Sequence, residues 1–482
     1  MNTRLILYFI GVILIFISFF MIFPVAVSVI YGQTDTIPLI ASFGITSISG
    51  SVLYLFTKGH KREDIRHREA FIIVTLTWVI MSFFGSVLFL LTGTFNSFTD
   101  AYFESMSGFT TTGASVLTNI EAVPKGVLFW RSMTQWIGGM GIIVFALAIL
   151  PLLGTGGMQL FKAEVPEISV DKLRPRIIDT AKALWIIYVT LTATDAILLY
   201  TAGMSVYDAV CHSFTTMATG GFSTKNESIA HFKSHSIEYI TSLFMFLAGI
   251  NYSLYFYVFK GKFSKLWRSN EFRFYLAITT IATLLVTVYL WMSSYTSLIE
   301  SFRYSLFQTV SIMTTTGYVT ADYEKWVPLA QVILILLMFF GGMIGSTGGG
   351  IKQVRILLMI KQGYREIYQL IHPRAVTAVK LDDKFLDKEI LGSIWGLIFL
   401  FLGICAVATI GMAATGMDII TSSTTVISAM SNVGPAFGVA GPTENYASIP
   451  LIGKWILIFC MITGRLEIYT VLILFMPHFW KK

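Results

Sequence analysis

The chain has 482 residues; 55% are apolar, only 13% are charged, and the formal net charge is +7. Soluble domains carry about 25% charged residues, so a water-soluble globule is excluded and an integral membrane protein is expected. Three scattered cysteines and seven dispersed histidines form neither a disulfide framework nor a zinc spacing.

The first predicted elements are two apolar helices, 5–30 and 38–55, which make an N-terminal hairpin within residues 1–69. Residues 5–30 exceed a signal-peptide core and lack a clear small-residue cleavage site, so they read as a retained span. Four similar units follow. Unit one, 70–157, has a span at 70–91, a short helix near 98–107 and a second span at 127–153. A basic loop occupies 158–182. Unit two, 183–262, has helices at 183–202, 206–216 and 237–259. Unit three, 263–362, has them at 274–291, 298–313 and 327–360. Unit four, 363–482, has them at 390–412, 418–430 and 449–476.

After each short helix comes a polar stretch ending on glycine. The stretches are Thr110-Thr111-Thr112-Gly113, Ala218-Thr219-Gly220-Gly221, Thr314-Thr315-Thr316-Gly317 and Ser431-Asn432-Val433-Gly434. Four glycine loops dipping between apolar spans are what a four-fold ion pore requires. A dehydrated cation needs rings of backbone carbonyls, and glycine turns its carbonyl inward without a steric penalty. The expected fold is therefore an all-α polytopic membrane protein. An N-terminal hairpin is followed by four pseudo-symmetric repeats around one central pore, with ten spans and four half-helices.

Charge gives the topology. Lys and Arg cluster at 58–69, 158–182, 260–273 and 352–388. The positive-inside rule places these stretches and both termini in the cytoplasm, with the four glycine turns facing out. The basic stretches are topology signals, so no nucleic-acid partner is expected. Asp100, Asp208, Glu300 and Asp418 open the short helices and are expected to cap them and complement their dipoles. Each short helix would aim its negative C-terminal end at the pore.

Two features suggest moving parts. Six glycines between Gly341 and Gly350 interrupt an apolar segment, and each costs a helix about 1 kcal/mol against alanine. The stretch Gly345-Ser346-Thr347-Gly348-Gly349-Gly350 is expected to form a gate loop; a break that merely permits close packing is the alternative. It is not a phosphate-binding loop, because lysine does not directly follow the last glycine and no Ser/Thr comes after it. Lys352 and Arg355 are expected to mark the cytoplasmic end of the break. Arg465 falls in the middle of the last apolar stretch, where a charge normally faces a partner or water. It is expected to project below the turns as an electrostatic barrier. Glu467, two residues on, is a poor partner for it. Asp195, also within a span, is expected to make a structural pair, and coupling to a second ion is the alternative. Asn251, Tyr252 and Gln135 are expected to bond between helices, and His212 to pack rather than ligate.

Trp136-Ile137-Gly138-Gly139-Met140-Gly141-Ile142, the glycine-rich stretch running through Arg355, and Gly464-Arg465-Leu466-Glu467 complete a pattern. With the four glycine turns and the extra hairpin, the chain resembles the TrkH/TrkG branch of the Trk/Ktr/HKT superfamily of potassium transporters over essentially its whole length. The resemblance implies a bacterial inner-membrane potassium uptake subunit that forms a homodimer. It implies control by a TrkA-like cytoplasmic ring that binds NAD(H) or adenine nucleotides, with no cofactor on this chain. Serine at the first glycine position goes with sodium permeation in that superfamily, so Gly113 implies potassium. The fourth stretch departs most from the pattern. A sodium- or proton-coupled symporter using the same pore remains an alternative reading, as does, more remotely, a membrane enzyme or receptor. No HExxH or GxSxG motif supports catalysis.

Overall fold

The computed structural model describes residues 2–58, 67–148, 173–375, 377–382 and 384–481. Apart from one two-residue hairpin, β1 (Lys380–Leu381) with β2 (Lys384–Phe385), the described residues are helices and turns. The expected basic loop at 158–182 lies largely outside them.

Helices α1 (Thr3–Ile30) and α2 (Thr36–Thr57) form the hairpin. Asn2 starts α1 by accepting the Leu5 N–H at 3.2 Å. The two helices touch at glycine: a Cβ on Gly11 would lie 2.8 Å from the Tyr54 nitrogen, and one on Gly50 would lie 2.9 Å from that of Ile15. Small residues let apolar helices approach this closely where no hydrophobic effect drives them together. Phe19, Ile37, Ile48 and Phe56 point outward from the hairpin, as a lipid-facing surface requires.

The four units then run in order. The first is α3 (His67–Leu91), the short α4 (Phe98–Phe109) and α5 (Lys125–Ala148). The second is α6 (Leu173–Thr201), the short α7 (Val206–Met217), α8 (His235–Ala248) and α9 (Tyr252–Phe259). After α10 (Ser264–Arg268) the third has α11 (Asn270–Ser293), the short α12 (Leu298–Met313), α13 (Pro328–Phe339) and α14 (Gln353–Ile371). The fourth has α15 (Lys388–Ala413), the short α16 (Ile419–Ser431), α17 (Leu451–Arg465) and α18 (Tyr469–Leu472), before a terminal turn, α19 (Pro477–Trp480). Each short helix packs between its flanking helices. The closing helix of each unit also packs on the next unit's short helix: α5 on α7, α8 on α12, α13 on α16, and α17 back on α4.

Among the described residues, six helices are long and apolar enough to cross a membrane, and two bent pairs raise the number to eight. The bent pairs correct the sequence reading. The expected single spans at 237–259 and 449–476 are each broken, with bends of 100° between α8 and α9 and 113° between α17 and the segment beginning at Tyr469. Glu467 and Ile468 make the second break with φ of 58° and 56°, a left-handed geometry costly for a β-branched side chain. The break in the third unit is longer than the glycine run, extending from Phe340 to Lys352 between α13 and α14.

Candidate functional site

The four short helices end alike. At the end of α4 the Thr111 N–H donates to the Gly108 carbonyl at 2.9 Å and the Thr112 N–H to Ser107 at 2.8 Å. The second bond recurs as Gly220 to Thr215 (2.8 Å), Thr316 to Ser311 (2.9 Å) and Val433 to Ser428 (2.9 Å). This is the six-to-one bond of a Schellman motif, which needs one left-handed residue after the helix. Thr111, Thr219, Thr315 and Asn432 take that conformation, with φ of 54°, 52°, 60° and 57°. Glycine usually serves there, so three threonines amount to strain held by the surroundings.

Two residues later stand Gly113, Gly221, Gly317 and Gly434, with φ of 82°, 75°, 81° and 101°. Each abuts the next turn's backbone. A Cβ on Gly113 would lie 2.2 Å from the Gly220 oxygen, one on Gly221 1.9 Å from the Thr316 oxygen, and one on Gly317 2.0 Å from the Val433 oxygen. One on Gly434 would lie 2.6 Å from the Thr112 oxygen, which closes the circle. The turns thus meet as a ring in which each glycine gives way to the carbonyl before its neighbour's glycine.

Side chains from around the ring fasten it. Gln135 donates to the Gly220 carbonyl (2.6 Å) and accepts the Phe222 N–H (3.0 Å). It therefore supports the second turn rather than another helix; a lone glutamine in a span signals a polar partner without naming it. Ser311 donates to the Tyr318 carbonyl and Ser428 to that of Gly434. The Tyr318 hydroxyl bonds Thr215. Asn432 donates to the Thr112 hydroxyl (2.9 Å) and the Met461 carbonyl (3.0 Å), so the most divergent turn is tied to the first. His212 sits between the Asp208 carbonyl and the Ser223 hydroxyl, a fastening role in line with packing.

Of the four acids, Asp418 caps α16 through the Thr421 N–H (3.0 Å). Ser205, not Asp208, caps α7, and Asp208 accepts from the Ser205 and Thr224 hydroxyls. Asp100 lies in the first turn of α4 and pairs with Lys454 of α17 at 2.6 Å, and Glu300 lies in the first turn of α12.

The glycine-rich loop lies directly against the ring. The Gly349 N–H donates to the Thr315 hydroxyl at 2.7 Å, and a Cβ on Gly349 would lie 2.3 Å from the Ser431 oxygen. The Thr347 hydroxyl donates to the Met217 carbonyl at 3.0 Å. Lys352 bonds the Gly348 carbonyl from within the fold. One carboxylate oxygen of Glu271 ties the loop to the helix that follows it, accepting the Ile344 N–H of the loop at 2.8 Å and the Val354 N–H in the first turn of α14 at 3.1 Å.

Arg465 is not mid-helix; it is the last residue of α17. It is buried and donates to the Thr347 carbonyl at 2.8 Å and the Gly138 carbonyl at 3.2 Å. Glu467 pairs instead with Arg355 at 2.6 Å. Asp195 contradicts the expected pair: it is fully buried, and neither carboxylate oxygen has a hydrogen-bond partner among the described residues.

A family model described as TrkH, cation transport protein, matches residues 36–482. The chain belongs to the TrkH family. It is 41% identical over 485 residues to the Trk system potassium uptake protein TrkH of Halomonas elongata, with both chains fully covered. It is 36% identical to the Trk system potassium uptake protein TrkG of Escherichia coli K12, again over the full length of both. The crystal structure of the potassium transporter TrkH from Vibrio parahaemolyticus superposes with a TM-score of 0.92 at 38% identity, covering both chains completely. This TrkH-family chain is therefore a multi-pass membrane protein, and its relatives are named as transport proteins rather than enzymes.

Proposed function

We propose that the chain is the potassium-translocating membrane subunit of a Trk-type uptake system. The observation that carries the reading is the circle of glycine-to-carbonyl contacts from Gly113 through Gly221, Gly317 and Gly434 back to Thr112. Four left-handed turns at helix C-termini gather carbonyl oxygens and the negative ends of helix dipoles in one place, which favours a cation. Residues Thr110–Gly113, Ala218–Gly221, Thr314–Gly317 and Ser431–Gly434 then form the selectivity filter, in a ten-span chain of four repeats with both termini cytoplasmic. Gly345 to Gly350 and Arg465 form the gate beneath it. A cytoplasmic TrkA-like subunit that binds NAD(H) or adenine nucleotides sets that gate, and two copies of the chain pair as a homodimer. The potassium uptake names of the full-length relatives support the choice of ion.

A coupled symporter is the second reading, and the carboxyl of Asp195, which has no hydrogen-bond partner among the described residues, is the group that favours it. The test is rubidium-tracer uptake into liposomes holding the purified chain, with competition by potassium, sodium and lithium. Uptake blocked by potassium but barely by sodium is expected. Equal block by all three would refute a potassium filter, and uptake that requires a sodium or proton gradient would favour the symporter.

A further inference from the structure

The joint between the first two glycine turns is bridged by a buried ion pair. Glu104 lies on α4 and Arg131 on α5, and both side chains are almost wholly buried. The Arg131 Nε donates to Glu104 Oε1 at 2.6 Å. Each partner also grips a different outgoing strand. Glu104 Oε1 accepts the Ser115 hydroxyl at 2.9 Å and Oε2 the Val116 N–H at 2.8 Å, two and three residues beyond Gly113. Arg131 Nη1 donates to the Ser223 carbonyl at 2.9 Å, two residues beyond Gly221, and the guanidinium lies 3.5 Å from the centre of the Phe222 ring.

A buried ion pair is weak evidence for stability, since apolar residues of similar volume often serve as well. What such a pair supplies is fixed geometry. The guanidinium fork and the carboxylate are rigid planar groups whose charge-assisted bonds have narrow length and angle preferences. Here the two groups span the gap in which Gly113 meets the Gly220 oxygen. Tyrosine hydroxyls span the next two joints, Tyr318 to Thr215 and Tyr323 to the Ala436 carbonyl.

We propose that the Glu104–Arg131 pair is a positioning pair that sets the separation of the first two filter turns and thereby the discrimination between potassium and sodium. The proposal rests on the filter reading above. Lysine at 131 would keep the charge but lose the fork, leaving the Ser223 strand unheld.

The experiment compares wild type, Arg131→Lys, the milder Ser115→Ala, and Lys454→Gln, whose ion pair with Asp100 grips neither outgoing strand. Each is reconstituted, checked for a monodisperse folded state, and assayed for sodium competition against rubidium uptake. In Arg131→Lys sodium should compete about tenfold better, the size expected when one charge-assisted hydrogen bond stops favouring one ion over another. Ser115→Ala should shift the same way by less, and Lys454→Gln should keep wild-type selectivity. Wild-type selectivity in a folded Arg131→Lys, or in Ser115→Ala should the former fail to fold, would overturn the proposal. A wild-type chain that does not discriminate at all would instead sink the filter reading, and the pair's role with it.

Discussion

The Arg465 guanidinium donates to the carbonyl of Thr347 across 2.8 Å, joining the end of α17 to the loop that lies under the ring of glycine turns. Its second bond, to Gly138 of α5, holds a third segment at the same point. Gly138 in turn lies against the end of α4, where a Cβ would meet the Phe109 oxygen at 1.9 Å. One side chain therefore links the loop to two of the four units.

On the gating role proposed for this contact, Arg465→Ala frees the loop and removes a positive charge from the pathway. A hydrogen bond from a charged group is worth about 1.5–3 kcal/mol. Resting rubidium leak without any partner should rise about tenfold or more, and Arg465→Lys should fall between wild type and alanine. Tracer efflux from liposomes measures this; an unchanged leak in a folded alanine variant would remove Arg465 from the gate.

Glu271 offers a second handle on the same loop. One of its oxygens holds the Ile344 N–H of the loop and the Val354 N–H of α14's first turn. Glu271→Gln keeps an acceptor there and should retain most of the closed state. Glu271→Ala leaves the buried Val354 N–H unpaired, at about 1–3 kcal/mol, and frees the half-buried Ile344 N–H, so it should leak more than the glutamine variant. Equal leak from both would show that the two bonds do not hold the loop.

The four ring glycines should not be equally sensitive. The left-handed conformation alone costs an alanine about 1–2 kcal/mol, and the clash adds to that. A Cβ meets the neighbouring oxygen at 1.9 Å for Gly221, 2.0 Å for Gly317 and 2.2 Å for Gly113, but at 2.6 Å for Gly434. Gly221→Ala should thus lose most uptake and Gly434→Ala least, while Gly113→Ser should let sodium compete better. Uptake assays at matched protein amounts read the order, and a reversed order would mean that the contacts do not govern permeation.

How much of this was legible in the chain depends on what kind of residue made each feature. The left-handed Thr111, Thr219 and Thr315 at the helix ends carried no signal of their own, but the glycines two residues on did, since a positive φ with no room for a Cβ has few other solutions. Their spacing therefore revealed four turns, as Gly113 and its three counterparts show. The break after α17 was hidden because ordinary residues make it. Leu466, Glu467 and Ile468 read as the continuation of a span, and only the tertiary setting holds Glu467 and Ile468 left-handed. That misplaced Arg465 by putting it mid-helix. Contacts such as Gln135 to Gly220 join residues 85 apart in sequence, and local pattern carries no information about them.

Asp195 separates the two transport readings. An ionised carboxylate without a partner is expensive in an apolar interior, and neither of its oxygens has a hydrogen-bond partner among the described residues. If the chain conducts without coupling, Asp195→Asn should leave rubidium uptake within about twofold of wild type, well under 1 kcal/mol, and insensitive to sodium or proton gradients. Loss of gradient-driven accumulation in this variant alone would instead identify it as a coupling site.

On the proposed function, the ring of turns binds the permeating ion through the carbonyls of Thr112, Gly220, Thr316 and Val433. Anomalous diffraction from crystals soaked in rubidium, with a sodium soak as control, tests it most directly. A rubidium peak is expected on the ring axis within bonding distance of those four oxygens, displaced by potassium and not by sodium. A well-ordered ring without that peak, or with rubidium bound elsewhere in the pathway, would contradict it.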